Sequence, residues 1–168
     1  MSHNNIFTKC FCILFRAHEK DNIEEETSYL LSSGGSWARI YERFYVGYDF
    51  EVGSMTIHPL IESGLLIAIR GRYDYLLLEL INCGLVFSVE NGRGPIRSVF
   101  DSNENITLCD GKPHDVRAMK TKNVVVLFVD DHTSQPGIGI PGVSVTNTNH
   151  GLFIGGHPRQ NSLNTFST

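Results

Sequence analysis

Three apolar runs follow one another in residues 74–100, DYLLLELINCGLVFSVENGRGPIRSVF. Turn signals separate them, at Cys83-Gly84 and at Asn91-Gly92-Arg93-Gly94-Pro95. Short runs rich in aliphatic, β-branched and aromatic residues, bounded by Gly, Asn and Pro, are typical of β-strands joined by tight turns. This segment therefore predicts three consecutive strands.

The same pattern continues on both sides of this segment. Further strands are predicted at Phe50–Val52, Met55–His58, Leu65–Arg70, His114–Lys120, Val124–Asp130, Val143–Val145 and Leu152–Ile154. Strands at this spacing, with turns between them, indicate an all-β sandwich or barrel. No stretch shows the 3.6-residue periodicity of a long helix, and no internal repeat is visible.

Length, charge and hydropathy exclude several classes of protein. The chain has 168 residues, enough for one domain with a hydrophobic core. Its formal net charge of −4 gives no global attraction to nucleic acid. No apolar run approaches the roughly 20 residues that a membrane-spanning helix needs, so no membrane insertion is expected. Residues 10–15 are short for a signal-peptide core, and no clear cleavage site follows them.

The first 35 residues differ from the rest of the chain. They include an acidic run from Glu19 to Glu26, and Gly34-Gly35 marks the start of the regular pattern. We therefore predict a poorly ordered or loosely packed leader at 1–35 and a single domain at 36–168. The alternative is that Ser28–Leu31 already forms an edge strand.

Several motifs occur in a fixed order over residues 36–160. They are Ser63-Gly64-Leu65-Leu66, Asp74-Tyr75-Leu76, Gly84–Gly92, Leu108-Cys109-Asp110-Gly111-Lys112-Pro113-His114, Val129-Asp130 and Leu152–Pro158. Together they resemble the laminin G-like domains, and the Leu-Cys-Asp-Gly block is most similar to the laminin α chain branch. The resemblance implies a jelly-roll, concanavalin A-like sandwich of two antiparallel sheets.

The resemblance also implies a calcium site on the rim of the sandwich. The family pattern places its ligands at the side chains of Asp74 and Asn147 and at the backbone carbonyls of Asn91 and Val145. Calcium accepts such a mixture of oxygens, and a site with one carboxylate is expected to bind weakly. The residues alone favour the simpler interpretation, in which Asp74 merely starts a strand and Asn147 lies in a turn.

Basic side chains are expected near the same rim. They are Arg72, Arg93 and Arg97, with Arg159 after the Gly155-Gly156 pair. Guanidinium groups bind sulfate and carboxylate groups bidentately, so these residues are the candidate glycan- and receptor-binding set. A second basic segment runs from Lys112 to Lys122, but Asp110 and Asp115 dilute its charge, and it is also typical of an ordinary solvated face.

The implied function is that of a non-catalytic, secreted adhesion module of the extracellular matrix and basement membrane. Its expected partners are heparan sulfate, receptor glycans and cell-surface glycoproteins such as dystroglycan or integrins, with calcium assisting. Asn105 begins an N-glycosylation sequon. The alternatives are a spacer domain with no ligand of its own and a carbohydrate-active enzyme of jelly-roll fold. Catalysis is not expected, because Asp74 and Glu79 lie five residues apart and so face opposite sides of a strand.

The cysteines give one further expectation. In laminin-type relatives the cysteine of the Leu-Cys-Asp-Gly block pairs with one in the last strand. No cysteine follows Cys109 in this sequence. We therefore expect Cys109 to be unpaired and the closing strand to be missing, as in a fragment or an isoform. The state of Cys83 is left open, and a free thiol is one alternative.

Overall fold

The computed structural model describes residues 10–18, 24–32, 37–41, 43–59, 61–103 and 106–156. These residues contain thirteen strands and no helix, and therefore no helix able to cross a bilayer. The strands are β1 Cys10–His18, β2 Glu24–Ser32, β3 Ala38–Tyr41, β4 Asp49–Ile57, β5 Gly64–Arg70, β6 Tyr75–Ile81, β7 Gly84–Glu90, β8 Pro95–Phe100, β9 His114–Thr121, β10 Val124–Val129, β11 His132–Thr133, β12 Gly137–Ile138 and β13 Leu152–Ile154.

The strands form two antiparallel sheets with the main core between them. Sheet A has the order β11-β10-β9-β4-β1-β2, with β12 also paired to β10. Sheet B has the order β3-β13-β5-β6-β7-β8. The core contains fully buried side chains of both sheets, such as Met55, Leu127, Leu78 and Phe87. The predicted all-β, two-sheet jelly-roll sandwich is thus confirmed.

The segment 74–100 forms the three predicted strands β6, β7 and β8. Asn82 and Cys83 make the β6–β7 turn with φ of 50° and 62°, as a two-residue hairpin turn of type I′ requires. In the β7–β8 turn one oxygen of Glu90 accepts hydrogen bonds from the backbone N–H groups of Gly92 and Gly94, at 2.7 and 2.9 Å. Local turn chemistry therefore sets the register of this half of sheet B.

The N-terminal strands are integrated into sheet A. β1 pairs with β4 from Ile13 to Phe15, and β2 pairs with β1 at the edge of the sheet. β2 includes Ser28–Leu31, the residues that the alternative interpretation places in an edge strand. The prediction of a loosely packed leader at 1–35 stays a prediction. The division of the chain at residue 36 and the missing closing strand stay predictions, since residues 157–168 lie outside the described part of the chain.

The prediction of a strand at Val143–Val145 is wrong. The Val143 carbonyl accepts a hydrogen bond from the Asn91 side chain at 2.8 Å, and the Ser144 carbonyl accepts one from the Lys120 ammonium at 2.9 Å. Only Thr146 forms a β-bridge, with Gly47. Side chains thus take the carbonyl groups that a strand partner would otherwise use, and residues 143–148 form a loop.

Cys83 and Cys109 form a disulfide, so the expectation that Cys109 is unpaired is also wrong. The bridge joins the β6–β7 turn to the loop before β9, with the two Cα atoms 5.4 Å apart. The Leu108 N–H donates to the Cys83 carbonyl at 3.4 Å, and the Ser102 hydroxyl donates to the same carbonyl. These contacts hold the β6–β7 turn against the loop before β9, so Cys83 and Cys109 can pair without any cysteine in a later strand.

His114, the first residue of β9, is buried between two carboxylates. Its Nδ1 lies 2.9 Å from Asp130 Oδ2 and its Nε2 lies 3.0 Å from Asp110 Oδ1. Burial lowers the pKa of His114, but the hydrogen bonds to Asp130 and Asp110 outweigh it and raise the pKa above its usual 6.5. The pKa of Asp110 falls to about 2, chiefly because the Lys112 backbone N–H donates to it. The arrangement favours an imidazolium that donates on both sides.

We expect His114→Gln to lower the free energy of unfolding by about 2 kcal/mol at pH 5.5, the range for hydrogen bonds to charged groups. Because folding raises the pKa of His114, this stabilisation is complete below its unfolded pKa near 6.5. It is lost as the pH rises through the higher folded pKa. The difference in free energy of unfolding between wild type and variant, measured by urea unfolding, should therefore be smaller at pH 9 than at pH 5.5. A difference that stays constant would contradict a charged His114.

Candidate functional site

The candidate site lies at one end of sheet B, where strands β5 to β8 turn. The register pairs Arg70 with Tyr75, Tyr75 with Glu90, and Glu90 with Pro95. Paired residues share a face of a sheet, and neighbouring rows alternate between faces. The neighbouring row Ile69, Leu76, Val89 and Ile96 lies in the core. The row containing Arg70, Tyr75 and Glu90 therefore faces outward at the rim.

Asp74 lies directly before β6 and is only 8% exposed. Its Oδ2 accepts a hydrogen bond from the Asn147 backbone N–H at 2.7 Å, and its backbone carbonyl accepts one from Gly71 at 2.8 Å. Its Oδ1 accepts none from the residues that the structure describes. The hydrogen bond to Oδ2 thus orients the carboxylate, and Oδ1 is available to a ligand.

The other three predicted calcium ligands come from segments that meet at Asp74. The 143–148 loop carries Val145 and Asn147 and contacts Asp74 through the Asn147 backbone N–H, while the Asn147 side chain is exposed. Asn91 is 6% exposed and its side chain donates to the Val143 carbonyl at 2.8 Å. The structure therefore brings together the segments that carry Asp74, Asn91, Val145 and Asn147.

The donor set matches a hard cation rather than a transition metal. The described residues hold no group of three or more His, Cys, Asp or Glu side chains that could bind a metal. The four predicted ligands instead combine one carboxylate with amide and carbonyl oxygens, which calcium accepts and softer metals do not favour. Calcium binding at these four residues stays a prediction.

A groove of about 660 Å³ opens beside Asp74 on the outward side of the rim. Of the predicted glycan-binding residues, Arg72 and Arg97 line it, whereas Arg93 is exposed on the adjoining turn and is not part of the lining. Arg159 and the sequon residue Asn105 lie outside the described residues. The complete lining is Arg70, Gly71, Arg72, Tyr73, Asp74, Tyr75, Glu90, Gly92, Gly94, Pro95 and Arg97.

Sequence reasoning missed four side chains of this groove: Arg70, Tyr73, Tyr75 and Glu90. The Arg72 guanidinium lies 5.1 Å from the centre of the exposed Tyr73 ring, a cation–π contact. Burial and the nearby Glu90 raise the pKa of Tyr75. Burial lowers the pKa of Arg70, and Tyr75 opposes that shift. The available signal was hairpin geometry, because the ends of consecutive antiparallel strands meet at the same edge.

The second basic segment does not form one surface. It coincides with β9, where residues alternate between the two faces. Arg117 and Lys122 are exposed, whereas His114 and Lys120 are buried. The groove beside Asp74 is therefore the better candidate for anion binding.

Comparison with known proteins agrees with this fold. The family model described as Laminin G domain matches residues 57–168. Laminin subunit alpha of Drosophila melanogaster is 32% identical over 136 residues, which cover 79% of this chain and 4% of that relative. Laminin subunit alpha-1 of Homo sapiens is 30% identical over 139 residues, 81% of this chain and 4% of that relative. The chain thus spans only a small part of the length of these relatives.

Solved structures show the same architecture. The mouse laminin alpha1 chain, domains LG4-5, superposes with a TM-score of 0.69 at 22% identity, covering 92% of this chain and 36% of that one. The LG1-3 region of the laminin alpha2 chain superposes with a TM-score of 0.57 at 16% identity, covering 90% of this chain and 26% of that one. At these identities the likeness supports the fold. The family model matches more than half of the residues of this chain, and the two laminin α chains are about 30% identical to it over most of its length. The resemblance is therefore confirmed, and the chain belongs to the laminin G domain family.

Proposed function

We propose that this domain is a non-catalytic adhesion module of the extracellular matrix that binds calcium at the Asp74 rim and, with it, an anionic glycan of a cell-surface receptor. The observation that carries the proposal is the Asp74 carboxylate. It is buried and oriented by the Asn147 N–H at 2.7 Å, and its second oxygen remains available beside an arginine-lined groove.

The calcium would be held by the Asp74 carboxylate, the Asn147 side-chain oxygen and the carbonyls of Asn91 and Val145. Calcium takes 6–8 oxygens, so waters or an acidic group of the ligand would complete its shell. With a single carboxylate we expect a Kd of about 10⁻⁴–10⁻³ M, the range of extracellular modules. Such a site is about half to nine-tenths occupied where calcium is near 1 mM, as it is outside cells.

The glycan would lie in the groove beside the ion. Arg72 and Arg97 are exposed there and can bind sulfate or uronate groups bidentately. The proposed ligands are therefore heparan sulfate and the acidic glycans of receptors such as dystroglycan or integrins. Calcium would add a positive charge at the same rim, so binding of metal and glycan should favour each other.

We expect 10 mM calcium to raise the Tm of the wild type by about 3–5 °C. This follows from a Kd near 10⁻³ M, which gives about 1.4 kcal/mol of stabilisation. Asp74→Asn should abolish the increase, because it removes the charge while keeping an oxygen that can accept the Asn147 N–H. Asp131→Asn, which removes an exposed carboxylate elsewhere, is the matched control and should keep it. An unchanged wild-type Tm would remove the calcium proposal, and an increase that survives Asp74→Asn would place the ion elsewhere.

The same proteins separate a ligand-binding module from a spacer. On a heparin column with calcium, the wild type should elute at higher salt than with EDTA, and Asp74→Asn should elute early in both. Arg72→Gln should elute early while keeping the calcium-dependent Tm. A wild type that elutes at low salt under both conditions would instead indicate a domain with no glycan ligand.

A further inference from the structure

Lys120 is fully buried near the end of β9, and three backbone carbonyls hold its ammonium group. The Nζ donates to Gly47 O at 2.9 Å, to Tyr48 O at 2.6 Å and to Ser144 O at 2.9 Å. A lysine ammonium has three N–H donors, so all of them are used. The acceptors belong to two loops that are far apart in sequence.

Burying a lysine is unfavourable unless its donors are satisfied, so this arrangement requires both loops to stay in place. Burial lowers the pKa of Lys120 to about 8, and the Asp49 carboxylate opposes that shift. The ammonium form therefore still predominates at neutral pH. The three carbonyls in turn would lose their donor if the side chain were removed.

Lys120 lies at the base of the segment that carries two of the proposed calcium ligands. The Thr146 N–H donates to Gly47 O at 2.9 Å, and the Gly47 N–H donates back to Thr146 O at 3.1 Å. The Thr148 hydroxyl accepts from the Val46 N–H and donates to the Phe44 carbonyl, both at 2.9 Å. Residues 144–148 thus lie along residues 44–48, and the ammonium joins the two at Ser144 and Gly47.

We propose that Lys120 is a positioning residue for the rim site, which fixes the Ser144 carbonyl and thereby the conformation in which Val145 and Asn147 present their oxygens beside Asp74. This inference rests on the calcium site proposed above. Residues 143–145 are not in a strand, so the ammonium supplies the restraint on the loop that a sheet partner would otherwise supply. Lys120 itself contacts no proposed ligand.

The test compares the wild type with Lys120→Met, which keeps the length of the side chain and removes its donors and charge. We expect the calcium Kd to rise about 10-fold, the lower end of the effect of removing groups that orient metal ligands. Without calcium, the Thr146 and Asn147 amides should exchange with solvent at least about 10-fold faster, since they are then less restrained. Val129→Ala is the control for lost stability, because Val129 lies at the opposite end of the β9–β10 hairpin and is equally buried. It should keep the wild-type affinity within about twofold.

The outcomes separate this inference from the proposed function. A wild type that binds no calcium would overturn both. A wild type that binds calcium, with Lys120→Met within twofold of its Kd or with unchanged exchange at Thr146, would overturn only the positioning role. If Lys120→Met does not fold, Lys120→Leu, which also removes the three donors and the charge, is measured in the same way. An unchanged affinity in that variant would also overturn the role.

Discussion

Replacing Cys83 and Cys109 with serine is expected to lower the free energy of unfolding by about 3–4 kcal/mol. The bridge joins residues 26 positions apart, and the loss of loop-closure entropy for a loop of that size gives this magnitude. It ties the β6–β7 turn of sheet B to the loop that leads into β9 of sheet A. The free energy of unfolding of a native protein is about 5–15 kcal/mol in total, so losing this bridge would remove a large part of the stability of the domain.

Urea unfolding with and without reductant measures this contribution. The reduced wild type should unfold at the same midpoint as the Cys83→Ser/Cys109→Ser variant, and reductant should not change the variant. Cys10 and Cys12 are present in both proteins, so the response of the variant to reductant controls for them. A wild type whose midpoint is unaffected by reductant would show that the two thiols are not bonded in solution.

The features predictable from sequence were those encoded over short distances. The three runs in 74–100 alternate with turn residues, and each run is one strand of sheet B. Cys83–Cys109 could not be deduced in the same way, because it depends on two loops that meet only in the folded chain. The expected partner in a last strand was a property of relatives, and the bond within this chain follows instead from the contact of Leu108 with Cys83.

For Lys120, the sequence predicts the position of the side chain but not the contacts that stabilise it. It follows His114, Val116 and Ala118 in alternation on β9, so the period of two places it on the inward face. A lysine there is nevertheless unexpected, since lysine is almost never fully buried unless its charge is paired. Its acceptors, at Gly47, Tyr48 and Ser144, are backbone carbonyls that leave no mark in the sequence.

The rim site combines features encoded over short stretches of sequence with contacts that form only in the folded chain. Arg70, Tyr75 and Glu90 meet because consecutive hairpins align the ends of β5, β6 and β7, which strand boundaries alone could have shown. The approach of Asn147 to Asp74 depends on the 143–148 loop, which crosses the strand ends. The sequence analysis predicted a strand at Val143–Val145 and therefore did not predict this loop. The family pattern identified these residues as a group, and the contacts explain how the chain brings them together.

Gly71 lies against this loop, and Gly71→Ala is expected to destabilise the domain by about 3 kcal/mol. A Cβ at Gly71 would lie 2.0 Å from the Asn147 carbonyl oxygen and 3.2 Å from Thr148 Cα. Both are backbone atoms, which cannot rotate away as a side chain can. Overpacking usually costs about 1–3 kcal/mol, and a contact with backbone belongs at the upper end of that range.

The same substitution should remove the effect of calcium on stability. The loop can relieve the overlap only by moving Asn147, whose N–H orients Asp74 at 2.7 Å, and the Asn149 and His150 N–H groups that donate to the Arg70 carbonyl resist that movement. Gly64→Ala is the matched control at the other end of β5, where a Cβ would meet only the flexible Ile61 Cδ1 at 3.2 Å. Urea unfolding and a calcium titration of the Tm measure both effects. If Gly71→Ala lost less than about 1 kcal/mol and kept the calcium-dependent increase in Tm, the close packing of the 143–148 loop against the β5–β6 turn would be contradicted, and the orientation of Asp74 would need another origin.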